Sequence, residues 1–137
     1  MDDRCLLFDA LRTALEADEN VRMAVLYGSL ARGDEDAGSD VDLLVSFGDD
    51  RYSDRYRLVT ELEHISGRKV DVANLERVQS KAPLLLYRAI DEGRVLIDRD
   101  GRWRRCSEQR YEIRLRARDE HRRQMAAAGR ALEELTR

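Results

Sequence analysis

Apolar residues recur with two different periods along this chain, and the changes of period divide it into elements. Leu6, Leu7, Ala10, Leu11, Ala14 and Leu15 fall at helical spacing and predict a first helix ending near Asn20. Met23-Ala24-Val25-Leu26-Tyr27 is a continuous apolar run, as in a strand buried on both faces, and Asp40 to Phe47 reads as a second strand, apolar and β-branched after its start. Between them, Ser29 is expected to open a short helix, followed by a loop rich in Gly33, Asp34, Asp36, Gly38 and Ser39. Tyr56, Val59, Leu62 and Ile65 form one stripe of a helix predicted from about Tyr52 to Ile65. The turn signal Ser66-Gly67 then leads into a short strand, Arg68 to Ala73. Pro83 suits a first helical turn, Leu84 to Ile90 supply that helix's buried side, and Gly93 stops it before the strand Arg94 to Asp98. From about Ser107 a long helix is predicted, with Tyr111, Leu115, Met125, Ala128, Leu132 and Leu135 as its apolar positions. Its middle, Arg116 to Arg123, has almost no apolar stripe. That stretch either crosses solvent in a helix packed at both ends, or serves as an arm for docking a partner.

Strands alternating with helices in this order predict an α/β (α+β) fold, a mixed sheet flanked by helices with a long helix at the C-terminal end. At 137 residues the chain can enclose one core, and no repeat or low-complexity tract divides it. A hydrophobic fraction of 42% is globular, and a charged fraction of 39% implies helices with wet faces. The net charge of −3 counts against general nucleic-acid binding, and no direct nucleic-acid partner is expected. Asp119 and Glu120 would oppose phosphate contacts along the arginine-rich stretch, where Trp103 and Tyr111 are too sparse to form a stacking platform for bases.

The candidate chemistry lies in two segments. Gly28 ends an apolar strand where the backbone must turn close to a ligand, and the unpaired N–H groups at such a turn and helix start suit the oxygens of a triphosphate. The Ser29 hydroxyl adds a donor. After ten intervening residues, Asp40-Val41-Asp42 begins the second strand. Alternation puts Asp40 and Asp42 on one face, about 7 Å apart at roughly 3.3 Å per residue, while Val41 points into the opposite layer. Magnesium favours hard oxygen ligands and is commonly held by one or two carboxylates with the substrate's own phosphates. Asp71 interrupts the third strand and would complete a three-acid cluster if that strand lies beside the Asp40 strand. Taken singly, each feature has a plain reading as a turn, a solvated strand entrance or a wet edge. Their order and context make the combination specific.

Gly28-Ser29-Leu30-Ala31-Arg32-Gly33 followed by Ser39-Asp40-Val41-Asp42-Leu43-Leu44-Val45 resembles the minimal nucleotidyltransferases, whose motif is Gly-Ser, ten residues, then Asp-x-Asp. The resemblance covers about Val21 to Asp98 and implies the palm-like fold of DNA polymerase beta. It implies a nucleotidyltransferase domain over residues 1–100, with residues 101–137 as a helical extension packed on the same domain. Gly28 and Ser29 would contact the nucleotide phosphates, Asp40 and Asp42 would bind Mg2+, and Asp71 would be the third carboxylate. Arg32 either neutralises phosphate charge or is simply solvated among Asp34, Glu35 and Asp36. Small stand-alone members are similar to antitoxins that transfer AMP from ATP to a tyrosine of a HEPN-type ribonuclease toxin. Two alternatives stay open, a transferase acting on a small hydroxylated molecule such as an aminoglycoside, and a non-catalytic antitoxin that acts by binding alone.

The remaining residues narrow the picture. Cys5 and Cys106 have no metal-site or redox spacing and are expected to be reduced and structural. His64 and His121 also lack the spacing of a zinc site. Met1-Asp2-Asp3-Arg4 is acidic where a secretory signal would be basic, and no apolar run approaches the roughly 20 residues that span a membrane. A cytoplasmic protein is expected.

Overall fold

The computed structural model describes residues 3–33 and 38–136. Asp34, Glu35 and Asp36, expected in the loop before the second strand, lie outside the described residues. Along the chain run α1 (Asp3–Glu16), β1 (Val21–Tyr27), α2 (Ser29–Arg32), β2 (Val41–Phe47), α3 (Tyr52–Ser66) and β3 (Val70–Asn74). They are followed by α4 (Leu75–Lys81), α5 (Pro83–Glu92), β4 (Arg94–Asp98), α6 (Arg102–Glu108) and α7 (Arg110–Thr136). The strands form one mixed sheet in the order β3-β2-β1-β4. β1 runs antiparallel to both β2 and β4, whereas β2 and β3 are parallel. A parallel pair needs a crossover, which α3 supplies.

Alternation along the strands sorts the apolar side chains into two cores. On one face Ala24, Leu26, Leu43 and Val45 pack with Leu11 and Leu15 of α1 and with Leu58 and Leu62 of α3. On the other, Met23, Val25 and Leu44 pack with Val78 of α4, Leu86 and Ala89 of α5, Trp103 and Cys106 of α6, and Ile113 of α7. Fully buried leucines such as Leu43 and Leu44 each contribute about 1.5–3 kcal/mol relative to exposure. Both sheet faces are covered, which explains why the middles of β1 and β2, Met23 to Leu26 and Leu43 to Val45, are continuously apolar rather than alternating.

Several elements differ from the sequence expectation. The first helix ends at Glu16, four residues before Asn20, because Asp18 makes a turn: its carboxylate accepts from the Asn20 N–H at 3.0 Å and its carbonyl from the Val21 N–H at 3.0 Å. In α3 the buried face is Leu58 and Leu62, with Val59 partly covered, while Tyr56 and Ile65 are exposed. Two short helices were not foreseen. Asn74 caps α4 by accepting from the Arg77 N–H at 3.0 Å, and Asp98 caps α6 by accepting from the N–H groups of Trp103 and Arg104 at 3.1 Å each. In α7 the buried residues are Ile113 and Ala117, while Tyr111, Leu115, Met125, Leu132 and Leu135 are exposed. The long helix therefore packs through its first half only, and every residue from His121 to Thr136 is exposed.

Candidate active site

The bend after β1 is shaped by Gly28, whose φ of 80° and ψ of −163° lie in a region open essentially to glycine alone. It delivers the chain into α2, whose carbonyls at Leu30 and Ala31 accept from the Arg4 and Arg94 guanidinium groups. The bend is thus tied to both α1 and β4. A Cβ on Gly28 would stand 2.5 Å from Asp42 Oδ2, so the Asp42 carboxylate lies directly against the glycine backbone. The second motif strand therefore meets the first at the point the sequence reading required. Ser29, half-buried, opens α2 immediately beside this contact.

Register brings the acids together. Asp42 is the β-partner of Tyr27 across β1–β2 and of Asp71 across β2–β3, so Asp42 and Asp71 lie side by side on one sheet face. Asp40 immediately precedes β2 and falls on the same alternation as Asp42. Its approach is pinned by two bonds, Arg68 Nη1 donating to the Ser39 carbonyl at 2.9 Å and the Val41 N–H donating to the Lys69 carbonyl at 2.8 Å. Asp42 shares its face with Leu44, so the acids look toward the layer built from α4 to α7. Asp40 and Asp71 are exposed and Asp42 is half-buried.

Electrostatics mark the cluster as short of positive charge. Burial pushes the Asp42 carboxyl above its ordinary value, Asp71 and then Asp40 push it further, and Arg32 opposes them. The Tyr27 phenol is pushed up to about 12, first by burial and then by Asp42 and Asp71. A divalent cation would relieve both. Among the described residues no group of three or more His, Cys, Asp or Glu side chains is gathered tightly enough to clasp a metal by itself. The donor set nevertheless fits magnesium, since one or two carboxylates suffice where substrate phosphates supply other ligands.

Arg32 has a partner that sequence reasoning missed. Its Nη1 lies 3.1 Å from both carboxylate oxygens of Glu92, and Glu92 Oε1 also accepts from the Gly28 N–H at 3.2 Å. A carboxylate therefore sits on the donors of the turn expected to hold phosphate, in the position of an anion's oxygens. Nothing local in the sequence distinguishes Glu92 from any acid at a helix end, and only folding brings it to Gly28, 64 residues away. A cleft of about 680 Å³ opens beside these groups, lined by Tyr27, Gly28, Arg32, Asp42 and Glu92 on one side. The arrangement can bind a triphosphate and a hard cation and can direct an oxygen nucleophile at phosphorus.

Residues 9–102 match the family described as polymerase beta, nucleotidyltransferase. A Methanocaldococcus jannaschii protein, named provisionally as a protein adenylyltransferase, is 38% identical over 73 residues, or 53% of this chain and 75% of its own length. A second protein of that organism with the same kind of name is 35% identical over 63 residues, covering 44% of this chain and 63% of its own. Among solved structures, one of a tri-AMPylated Shewanella oneidensis HEPN toxin in complex with MNT antitoxin superposes with a TM-score of 0.66 at 16% identity, over 91% of this chain and 98% of the other. A toxin–antitoxin structure with AMP-PNP gives 0.59 at 15% identity, over 95% and 98%. These structural likenesses concern the fold, which is the mixed sheet and flanking helices described above. With the family match running from α1 into α6 and spanning both halves of the motif, the chain belongs to the polymerase beta nucleotidyltransferase family.

Proposed function

We propose that the chain transfers AMP from ATP to a tyrosine hydroxyl of a HEPN-type toxin protein and thereby neutralises it, in the cytoplasm. The observation that carries the reading is the Asp42 carboxylate seated against the Gly28 backbone with Asp71 in register beside it. In support, relatives are named for protein adenylylation, and a chain of like fold occurs beside an AMPylated HEPN toxin. The acceptor oxygen forms a bond to the α-phosphorus, the bond from that phosphorus to the β-bridging oxygen breaks, and pyrophosphate leaves. Gly28 and Ser29 hold the phosphate oxygens, and Arg32 adds positive charge once Glu92 yields it. Asp40, Asp42 and Asp71 would hold magnesium, which when bound would stabilise the charge that develops on the attacking and leaving oxygens. Asp71, exposed at the strand edge, takes the proton from the acceptor hydroxyl. Positioning and charge neutralisation carry the rate, and no covalent enzyme intermediate is required.

Mixing the chain with a HEPN partner and ATP should add AMP to the partner, read by intact mass. Loss of a metal ligand forfeits several kcal/mol of transition-state stabilisation, so Asp42→Asn should slow transfer by about 100-fold or more. Full transfer by that variant would remove Asp42 from the chemistry. If the triple Asp40, Asp42 and Asp71 variant still silenced the toxin in cells, binding alone would account for neutralisation.

A further inference from the structure

The wall of the cleft opposite Gly28 and Asp42 comes from α5 and from α7, through Leu84, Leu85, Arg88, Glu120 and Gln124. The helix α7 lies beyond residue 102, outside the stretch matched by the family. We propose that α7 completes the nucleotide site of this chain, with Gln124 reading the adenine edge and Glu120 fixing its orientation. This rests on the adenylyl-transfer reading above and adds a specificity-determining residue to it.

Three observations carry the proposal. First, the cleft is polar at the Gly28 end and lined by Ala82, Leu84 and Leu85 farther along, an order that matches a metal-bound triphosphate leading to a flat apolar base. Second, Glu120 is locked to the cleft wall. Its Oε2 accepts from the Leu84 N–H at 2.7 Å, satisfying a donor in the first turn of α5 that has no partner within the helix. That bond fixes where the middle of α7 sits over α5, and it explains why the helix carries an acid at a position facing its neighbour. Third, Glu120 Oε1 accepts from Gln124 Nε2 at 3.4 Å, one turn further along. The contact is long, but it favours one of the two amide orientations, because flipping the amide would set an oxygen against a carboxylate.

The base preference follows from that orientation. A glutamine with its nitrogen held toward Glu120 still offers its carbonyl oxygen and a second N–H to the cleft. The oxygen accepts from an exocyclic amino group and the N–H donates to a ring nitrogen, which is the pattern adenine presents through N6 and its neighbouring ring nitrogen. Guanine offers an acceptor, O6, where adenine has the amino donor. One well-made bidentate pair corresponds to about 5- to 150-fold discrimination.

The test uses the full chain and non-hydrolysable ATP and GTP analogues with Mg2+, with binding measured calorimetrically. Wild type should prefer the adenine analogue by at least about fivefold. Gln124→Ala should bring the ratio close to one. Gln124→Glu, which can only accept, should favour guanine, whose N1–H and N2 amino group are both donors. Gln124 is exposed, and circular dichroism should show unchanged helicity in both variants. If wild type binds and transfers AMP but the Gln124 variants keep its base preference, α7 does not read the base and the proposal falls while the function stands. If wild type binds no adenine nucleotide, the adenylyl-transfer reading itself is wrong and the inference falls with it.

Discussion

Gly28→Ala puts the geometry of the site to a quantitative test. The glycine has φ 80° and ψ −163°, and a residue with a Cβ forced into that region carries roughly 1–3 kcal/mol of backbone strain. The new methyl carbon would also stand 2.5 Å from Asp42 Oδ2, closer than nonbonded carbon and oxygen approach, so one of them must move. Swinging the Asp42 side chain off its rotamer costs about 0.5–1.5 kcal/mol more. The sum, about 1.5–4.5 kcal/mol, leaves a domain with ordinary stability of about 5–15 kcal/mol folded. Activity should suffer more than stability, because displacing a reacting group by about 1 Å can cost roughly 100-fold. Urea unfolding followed by circular dichroism gives the first quantity, and AMP transfer to the proposed HEPN acceptor gives the second. Gly67→Ala is the control. Gly67 also has positive φ, 66°, but a Cβ there meets nothing within 4 Å, so it should cost about 1–2 kcal/mol and leave transfer unchanged. A Gly28→Ala protein with wild-type stability and full transfer would refute the close contact between the turn and Asp42.

The other predictions concern charge. Glu92→Gln should bind ATP·Mg about fivefold more tightly in calorimetry, since it removes a competing carboxylate charge from beside Arg32 and the Gly28 N–H, an ion pair that is half-exposed and worth no more than about 1 kcal/mol. Weaker binding would instead make Glu92 a support for Arg32. Asp42→Asn should be more stable than wild type at neutral pH in the absence of metal. The Asp42 carboxyl is raised in the folded state, so the stability tied to its neutral form is complete below about pH 4, the ordinary carboxylate value, and is lost as pH rises through the folded value. The gap between the two proteins, followed by urea unfolding, should therefore widen upward from about pH 4, and a gap that widens on acidification would contradict the burial and repulsion assigned to Asp42. In an ultraviolet titration, comparison with Tyr27→Phe should assign to Tyr27 a midpoint near 12, and Asp42→Asn should lower it without restoring the ordinary value, since burial is the larger cause. An unshifted midpoint in Asp42→Asn would place that carboxylate away from the phenol.

How far the sequence could be read depended on whether the relevant information was local. Gly28 and the Asp40-Val41-Asp42 strand were legible because strand alternation and the need for a Cβ-free turn leave few other placements. The neighbouring position of β3 followed from one assumption, that the Asp71 strand lies beside the Asp40 strand, and the parallel register pairs Asp42 with Asp71. What stayed hidden was non-local or short. Glu92 reaches Gly28 only through the β1–β4 pairing that returns the end of α5 to the bend. The helices α4 and α6 are seven residues each, shorter than a clear periodic signal, and depend on side-chain caps from Asn74 and Asp98. In α7 the large apolar residues drew attention, but Ala117, small enough for close helix packing, is buried while Leu132 and Leu135 are bare.

The placement of α7 shows why its polar middle is not an empty stretch of helix. A stripe lacking large apolar residues would leave α5 and α7 with little hydrophobic reason to lie together beyond Ile113 and Ala117. Glu120 supplies a different reason, because the first turn of α5 carries N–H groups that need acceptors and Pro83 itself donates none. Arg116 acts the same way one turn earlier, donating from Nη2 to the Gln79 carbonyl at 2.8 Å near the end of α4. The helix is therefore held by the unsatisfied ends of its neighbours as well as by the buried Ile113 and Ala117. A contact of that kind is specific in register, which suits a wall that must stand over a polar cleft without filling it.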